Sequence, residues 1–296
     1  MKPRLYKGFI VRGKWNHNQY KIIHLLGVGG IGQVYKVKDI DNKIWALKIS
    51  IEMQSITKEY DMLKRFNHIG LVPKVKEIDD FSYERNQLYY MVMEYIEGKN
   101  LKEYIKIKPI NVKVAMGITI LIGKAFLMLH KKHFIFGDLK LENLMIDTKN
   151  NLIKIIDLGG VTPMGSSVKE FTPLYDRASW NMGLRRGDEK YDLFSLSMLL
   201  TTLLLRKNFI PGKMSVDELI KKLEDIHISS VLTHLIHRGF VQNSRSFEEF
   251  LIELETIYIN GNYEEGGFTV DKQNLAINML FVGSILLFLG VIVQHL

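Results

Sequence analysis

The stretch Phe136-Gly137-Asp138-Leu139-Lys140-Leu141-Glu142-Asn143-Leu144 sets a carboxylate, an ammonium and an amide at offsets of zero, two and five. Asp157 follows fourteen residues after Asn143, in Ile155-Ile156-Asp157-Leu158-Gly159-Gly160. Moving a phosphoryl group from ATP to a hydroxyl asks for these parts. A carboxylate must accept the proton of the attacking hydroxyl, a task that falls to Asp138. A cation must stand near the γ-phosphate, which Lys140 can supply. Hard oxygen ligands must hold a divalent metal, and these are Asn143 and Asp157. An isolated Asp-x-Lys-x-x-Asn is often just a solvated turn. Four elements in this order and spacing are not explained that way.

A second set lies upstream in Gly27-Val28-Gly29-Gly30-Ile31-Gly32-Gln33-Val34. Two kinds of nucleotide site share such a glycine spacing. In a dinucleotide-binding turn the glycines open a helix, whereas here Gln33-Val34-Tyr35-Lys36-Val37 continues with β-type alternation. A glycine-rich hairpin of this kind can lay backbone N–H groups over phosphates. Fourteen residues after Val34 comes Lys48, in the apolar run Ala46-Leu47-Lys48, and eleven further on comes Glu59 on a helical stretch. A lone strand lysine commonly faces solvent. Paired with Glu59, it would be fixed where α- and β-phosphate charge must be held.

These residues need elements to carry them. From Tyr20 to Glu94, short β-type runs (YKIIHLL, QVYKVKDI, KIWALKIS, LYYMVM) surround one helical stretch, Ile56 to Phe66. After Leu101 the period becomes helical over Val112–His130, Tyr191–Leu205, Val216–Leu223 and Ser246–Ile257. The spacing predicts a small sheet unit followed by a larger helical one. Of the 296 residues, 47% are hydrophobic and 24% charged, which excludes a wholly disordered chain. The absence of cysteine excludes disulfides, thiolate nucleophiles and sulfur-ligated zinc, and suits a reducing compartment. His17, His24, His130 and His133 have no metal-ligand spacing and read as ordinary surface or packed histidines.

The two ends read differently. The N-terminus has no apolar run of signal-peptide length. Residues 275–293, LAINMLFVGSILLFLGVIV, carry no charge. As a helix they would reach roughly 28 Å, the thickness of a bilayer's hydrocarbon core. The segment therefore reads as a tail anchor after a Gly-rich linker, residues 261–274.

Taken together, residues Tyr20 to Tyr258 resemble a eukaryotic-like (Hanks-type) protein kinase. Ala46-Leu47-Lys48 is similar to the β3 lysine motif of that family, and Glu59 to its helix-C glutamate. Met93-Glu94-Tyr95-Ile96 resembles the hinge, with Met93 as gatekeeper and the backbone of Glu94 and Ile96 holding adenine. Thr172-Pro173-Leu174-Tyr175 resembles the docking segment of serine/threonine kinases, Asp192 the aspartate that steadies the catalytic loop, and Arg245 a late arginine of the family. The motifs FGDLK, DLGG and TPLYDR, with the terminal span, resemble membrane-anchored kinases of spore-forming bacteria, which points to sporulation signalling.

The resemblance implies an α+β, bilobal protein-kinase fold, with a β-rich N-lobe and a larger helical C-lobe, plus a C-terminal transmembrane helix. It divides the chain into a basic arm (1–19), a kinase domain (20–260), a linker and a membrane span. It implies a serine/threonine protein kinase acting on protein hydroxyls and on itself, with the kinase domain cytoplasmic. ATP would be bound by Leu26, Gly27, Val28, Gly29, Gly30, Ile31, Gly32, Val34, Ala46, Lys48, Glu59, Met93, Glu94 and Ile96. Mg²⁺, or Mn²⁺ in its place, would be held by Asn143 and Asp157, with Asp138 and Lys140 catalytic.

Some residues depart from the family pattern. Phe136-Gly137 replaces His-Arg before Asp138, so no arginine is present there for a phosphorylated loop to neutralise. Leu158 replaces a phenylalanine. The usual Ala-Pro-Glu is not recognisable in Asp176-Arg177-Ala178-Ser179-Trp180, which leaves the ion-pair partner of Arg245 open. Thr162, Ser166, Ser167 and Thr172 are the hydroxyls open to autophosphorylation, Thr172 being the least suited.

Two rival readings are a pseudokinase that only binds, and a small-molecule phosphotransferase. The first would have lost Lys48, Asp138, Asn143 or Asp157, and the second usually lacks the glycine loop and Thr172-Pro173. The net charge of +8, with Lys2, Arg4, Lys7, Arg12 and Lys14 in the first fourteen residues, suits an anionic activator, acidic lipid or nucleic acid. A solvated basic arm accounts for the same charges. Gly283 and Gly290 share a helix face, which permits a homodimer through the membrane span.

Overall fold

A computed structural model describes residues 4–30, 32–150, 152–242 and 246–264. The chain forms two compact units, one of residues up to Glu97 with Lys154–Gly159, the other of Gly98–Ile153 with residues from Gly160 on. Ile31, Arg245, residues 265–274 and the expected membrane span lie outside the described residues.

In the first unit the strands are β1 (Ile10–Arg12), β2 (Gln19–Val28), β3 (Gln33–Lys38) and β4 (Ile44–Ser50), followed by helix α1 (Met53–Arg65), β5 (Val75–Tyr83) and β6 (Asn86–Glu94). They form one six-stranded sheet in the order β1-β2-β3-β4-β6-β5. Its period of two separates the faces. Tyr35, Val37, Leu47, Ile49, Tyr90 and Val92 join a buried cluster with Tyr20, Ile22 and Phe81. The alternate positions form the opposite face, where Val34 pairs with Lys48, Lys48 with Met91, and Ala46 with Met93. Helix α1 turns Ile56, Glu59 and Leu63 inward. The returning segment is stitched in by Ile155 N–H, which donates to the Leu71 carbonyl at 2.7 Å.

Residues 5–12 of the expected basic arm pack into the sheet. β1 pairs with β2, Leu5 and Val11 are buried in the sheet's core, and Leu5 N–H donates to the Tyr35 hydroxyl at 3.0 Å. Asp79 accepts from the backbone N–H groups of Trp15 and Asn16, which fixes the next turn. Apolar residues spaced between the cations dock the segment while its charges stay in water.

The second unit holds β7 (Gly98–Asn100), α2 (Leu101–Ile107), α3 (Val112–His130), β8 (Phe134–Ile135), β9 (Leu144–Asp147), β10 (Leu152–Ile155), β11 (Thr162–Pro163), α4 (Glu189–Leu205), α5 (Val216–Asp225), α6 (Ser230–Phe240) and α7 (Phe247–Asn260). Strand β10 carries the chain back to the first unit. Helix α3 is long and apolar enough to cross a membrane, but it is mostly buried as the core of this unit, against α4 and α7. Two buried hydroxyls on α4 are satisfied within the helix, Ser197 donating to the Leu193 carbonyl and Thr201 to the Ser197 carbonyl, both at 2.9 Å.

Helices α2 and α6 were not expected. In α6 the buried Leu232, Leu235, Ile236 and Phe240 keep a helical spacing that two histidines and Gly239 obscure. The segment from Gly261, expected to begin the linker, stays attached to the fold through Glu264. Tyr263 O accepts from Ser229 N–H at 3.1 Å, and Ile228 bridges Glu264.

Candidate active site

In the first unit the glycine-rich turn joins β2 to β3, closed by Gly29 N–H donating to the Gly32 carbonyl at 2.8 Å. A Cβ at Gly32 would collide with the Ile49 carbonyl, so packing demands glycine there. At Gly27 and Gly30 a Cβ would meet nothing within 4 Å, so packing within the chain does not demand glycine at either. A ligand pressed against the hairpin backbone would.

Lys48, on β4, is buried and bonds to two carboxylates: Glu59 Oε2 at 2.5 Å and Asp157 Oδ2 at 3.3 Å. Burial alone would lower its pKa, but the carboxylates of Glu59 and Asp157 outweigh it and hold the ammonium well above the usual lysine range. Asp157 is also set by its own turn, accepting from Gly159 N–H at 2.8 Å. The carbonyl of Gly159 takes a hydrogen bond from Lys58 Nζ at 2.6 Å. Helix α1 thus reaches this carboxylate by two routes, Glu59 through Lys48 and Lys58 through Gly159. No motif in the sequence marks Lys58.

Met93 and Ile96, expected at the hinge, are buried. Glu94 is anchored at both ends, its N–H donating to the Lys74 carbonyl at 2.8 Å and its carboxylate accepting from Lys74 N–H at 3.1 Å. Leu26 and Val28 stand exposed on the hairpin, while Ala46 is buried between Lys36 and Met93 across the sheet.

In the second unit the loop from Phe136 to Asn143 joins β8 to β9. Asp138 Oδ1 accepts from the Thr172 hydroxyl at 2.8 Å and Oδ2 pairs with Lys140 Nζ at 2.5 Å. Asn143, at the end of a short 3-10 turn, is buried, with Nδ2 3.5 Å from the Asp138 carbonyl. Asp192, fully buried on α4, holds the loop from behind. It accepts from Phe136 N–H at 2.8 Å and from Gly137 N–H at 3.3 Å, and it bonds His130 Nε2 at 2.9 Å. His130 is therefore a packed histidine with a positioning contact.

The replacement of His-Arg has a structural cause. Phe136 stacks on Phe126 with ring centroids 4.8 Å apart. Gly137 has φ +80°, and any Cβ there would collide with the Gly160 carbonyl. An arginine at this position should therefore be harmful. Gly137→Arg is expected to lower kcat at least tenfold and also Tm, because a left-handed backbone and a carbonyl contact both oppose the side chain. A variant with wild-type Tm and rate, measured by thermal melt and initial rates, would contradict this.

The sequence left open how the segment after Thr172 is anchored. Arg177, buried, forms a two-pronged ion pair with Asp188, Nη1 to Oδ1 at 2.8 Å and Nη2 to Oδ2 at 2.7 Å, and its Nε donates to the Leu184 carbonyl at 2.7 Å. Asp188 also caps α4 by accepting from Tyr191 N–H at 2.9 Å. Asp176 accepts from Tyr191 Oη at 3.0 Å. Burial first, then Asp176, pushes the Tyr191 phenol well above its usual range, so it stays a neutral donor. Neither arrangement was legible in the motif that replaces Ala-Pro-Glu.

The metal ligands foreseen are an amide and a carboxylate, Asn143 and Asp157. Among the described residues no three His, Asp or Glu cluster as a self-contained metal centre. Oxygen donors of this kind fit Mg²⁺, which usually completes its shell with water and substrate phosphates.

The family profile described as protein kinase domain matches residues 20–256. The serine/threonine-protein kinase YabT of Bacillus subtilis (strain 168) is 34% identical over 210 residues, covering 69% of this chain and 61% of that protein. PrkC, a serine/threonine-protein kinase of the same organism, is 29% identical over 232 residues, covering 72% of this chain and 34% of its own length. The chain thus spans about three fifths of the first relative and a third of the second. The solved structure of vaccinia related kinase 3 superposes with a TM-score of 0.64 at 13% identity, covering 87% of this chain and 93% of that one, a likeness of fold. With its lysine–glutamate pair, its Asp138–Lys140 loop and its β-rich and helical units, the chain belongs to the protein kinase family, in the Hanks-type serine/threonine branch found in bacteria.

Proposed function

We propose that the chain transfers the γ-phosphoryl group of ATP to serine and threonine hydroxyls of proteins, itself included. The observation that carries this reading is Asp138, which already accepts a hydrogen bond from a threonine hydroxyl at 2.8 Å with Lys140 at its other oxygen. A substrate hydroxyl in the same relation would be polarised by the carboxylate and lose its proton to it as attack proceeds. Lys140 offsets charge that builds on the transferring phosphoryl group. Lys48, held charged by Glu59, is suited to the α- and β-phosphates, and the glycine hairpin offers them backbone N–H donors. A divalent metal, when bound, neutralises phosphate charge, and Asn143 with Asp157 would hold it. Purified chain incubated with ATP, Mg²⁺ and a basic protein should label serine or threonine. Absence of transfer with nucleotide binding retained would favour the pseudokinase reading.

Membrane anchoring is part of the same proposal and rests on the uncharged run at residues 275–293. Every proposed site residue lies upstream of it. Deletion of residues 274–296 is expected to give a soluble protein with kcat within about twofold of the full chain, since barrier changes below about 0.4 kcal/mol leave the chemistry intact. A reporter placed after Leu296 should be found outside the cytoplasm, and a cytoplasmic reporter would overturn the topology. The cations Arg4, Lys7, Arg12 and Lys14, beside exposed Tyr6, Ile10 and Trp15, suit an anionic surface near such an anchor. Competition between acidic vesicles and nucleic acid would decide which activator they serve. Pairing through Gly283 and Gly290, and a role in sporulation, belong to the same reading.

A further inference from the structure

The segment that carries Thr172 is tied down along its length by the chain's own groups. Gly165 N–H donates to the Gly187 carbonyl and Gly187 N–H to the Ser166 carbonyl, both at 2.7 Å, and Val168 N–H donates to the Arg185 carbonyl at 3.0 Å. Residues 165–168 and 185–187 thus form a short antiparallel ladder. Beneath it Val168 joins Ile135 and Tyr191 in a buried cluster, with Met164 and Phe171 packed against them.

Arg185 extends this hold toward the catalytic loop. Its Nε donates to Asp176 Oδ2 at 2.8 Å and its Nη2 to Ser179 Oγ at 3.2 Å. Its guanidinium carbon lies 4.1 Å over the ring of Phe171, the neighbour of Thr172. Asp176 is fully buried, so its carboxylate depends on such partners. One side chain therefore grips both sides of Thr172, Phe171 by its face and Asp176 by its edge. A planar guanidinium suits this double contact, and an ammonium does not. Meanwhile Gly137 brings no cation for a loop phosphate to meet. Thr162, first counted among the autophosphorylation sites, is buried and donates to the Gly160 carbonyl at 2.9 Å, which leaves Ser166 and Ser167 as the exposed hydroxyls.

We propose that Arg185 is a positioning residue for phosphoryl transfer, a built-in cation that seats Thr172 on Asp138 by clamping Phe171 and Asp176, so that the site is ordered without loop phosphorylation. The inference rests on the proposed phosphotransfer, and wild-type activity in the same assay separates failure of that reading from failure of this one. The test compares Arg185→Gln and Arg185→Lys in kcat, KM for ATP, KM for a protein substrate and Tm, alongside the double variant Ser166→Ala, Ser167→Ala. Arg185→Gln is expected to lower kcat about tenfold, some 1.4 kcal/mol in barrier, with KM for ATP within about twofold of wild type. Arg185→Lys should fall between, since it keeps the charge and loses the planar face. The double alanine variant should stay within about threefold of wild type. Arg185→Gln at wild-type kcat would overturn the proposal. So would a loss that only tracks the folded fraction, or a hundredfold fall in the double alanine variant, since loop phosphates would then order the segment.

Discussion

Asp138→Asn is expected to lower kcat at least a hundredfold, about 2.7 kcal/mol at the transition state, while leaving KM for ATP and Tm close to wild type. The amide is nearly isosteric with the carboxylate and can still accept from Thr172 through its oxygen. What it loses is the basicity to take the substrate's proton and the ion pair with Lys140, 2.5 Å away. That pair is partly open to solvent, so its loss adds little to unfolding. The Asp192 bonds to the loop backbone do not involve Asp138's side chain. Initial rates at saturating ATP and Mg²⁺ check the expectation, with a melting curve beside them. If the variant kept more than about a tenth of the wild-type rate, another group would be the base.

Lys48→Ala and Asp157→Asn should both abolish nearly all transfer, yet they should differ in stability. The burial of the Lys48 pair sets the two variants apart. Glu59 is 2% exposed, and its carboxylate is paired with the Lys48 ammonium. Removing one partner of a buried pair typically costs about 3–5 kcal/mol, a large share of the roughly 5–15 kcal/mol by which a domain is stable. Asp157 has a third of its side chain exposed, so its amide form leaves a smaller defect. The expected result is a clear fall in Tm for Lys48→Ala and a small one for Asp157→Asn, with rates down at least a hundredfold in both. Adding Glu59→Gln to Lys48→Ala should restore much of the Tm and none of the rate. An unrecovered Tm would mean that Lys48 stabilises its unit through packing rather than charge.

The sign of the pH dependence follows from the same pair. The folded-state pKa of Lys48 lies above the unfolded value, so its contribution is fully present below the unfolded lysine pKa, about 10.4, and is lost only as pH rises through the folded value. Between neutrality and about pH 9, Lys48 should add no limb to either the stability or the rate profile.

The proposed site residues were legible because each set lies close in sequence. Asp138, Lys140 and Asn143 sit within six residues of one loop, and a strand period of two is enough to put Val34, Ala46, Lys48 and Met93 on one face. Helices α3 and α4 could be read from their length and apolar content, since both are buried on nearly every side. Residues 4–19 misled because their charge was obvious and their sparse apolar positions were not. A three-residue strand such as β1 has too few alternations to show a period.

What the tertiary structure alone decided is how the motifs are held. Lys58 meets Gly159 across 101 residues of chain, and Asp192 meets the catalytic loop across more than fifty. Arg185 is one of forty lysines and arginines, and nothing in the sequence around it marks its ring and carboxylate partners. Gly137 looked like a lost arginine until the Gly160 carbonyl was found against it. Local sequence records the period of an element and the types in a loop, because neighbours in the chain set both. A side chain reaching a distant backbone atom leaves no period to read. It exists only once packing has brought the two segments within a hydrogen bond's length.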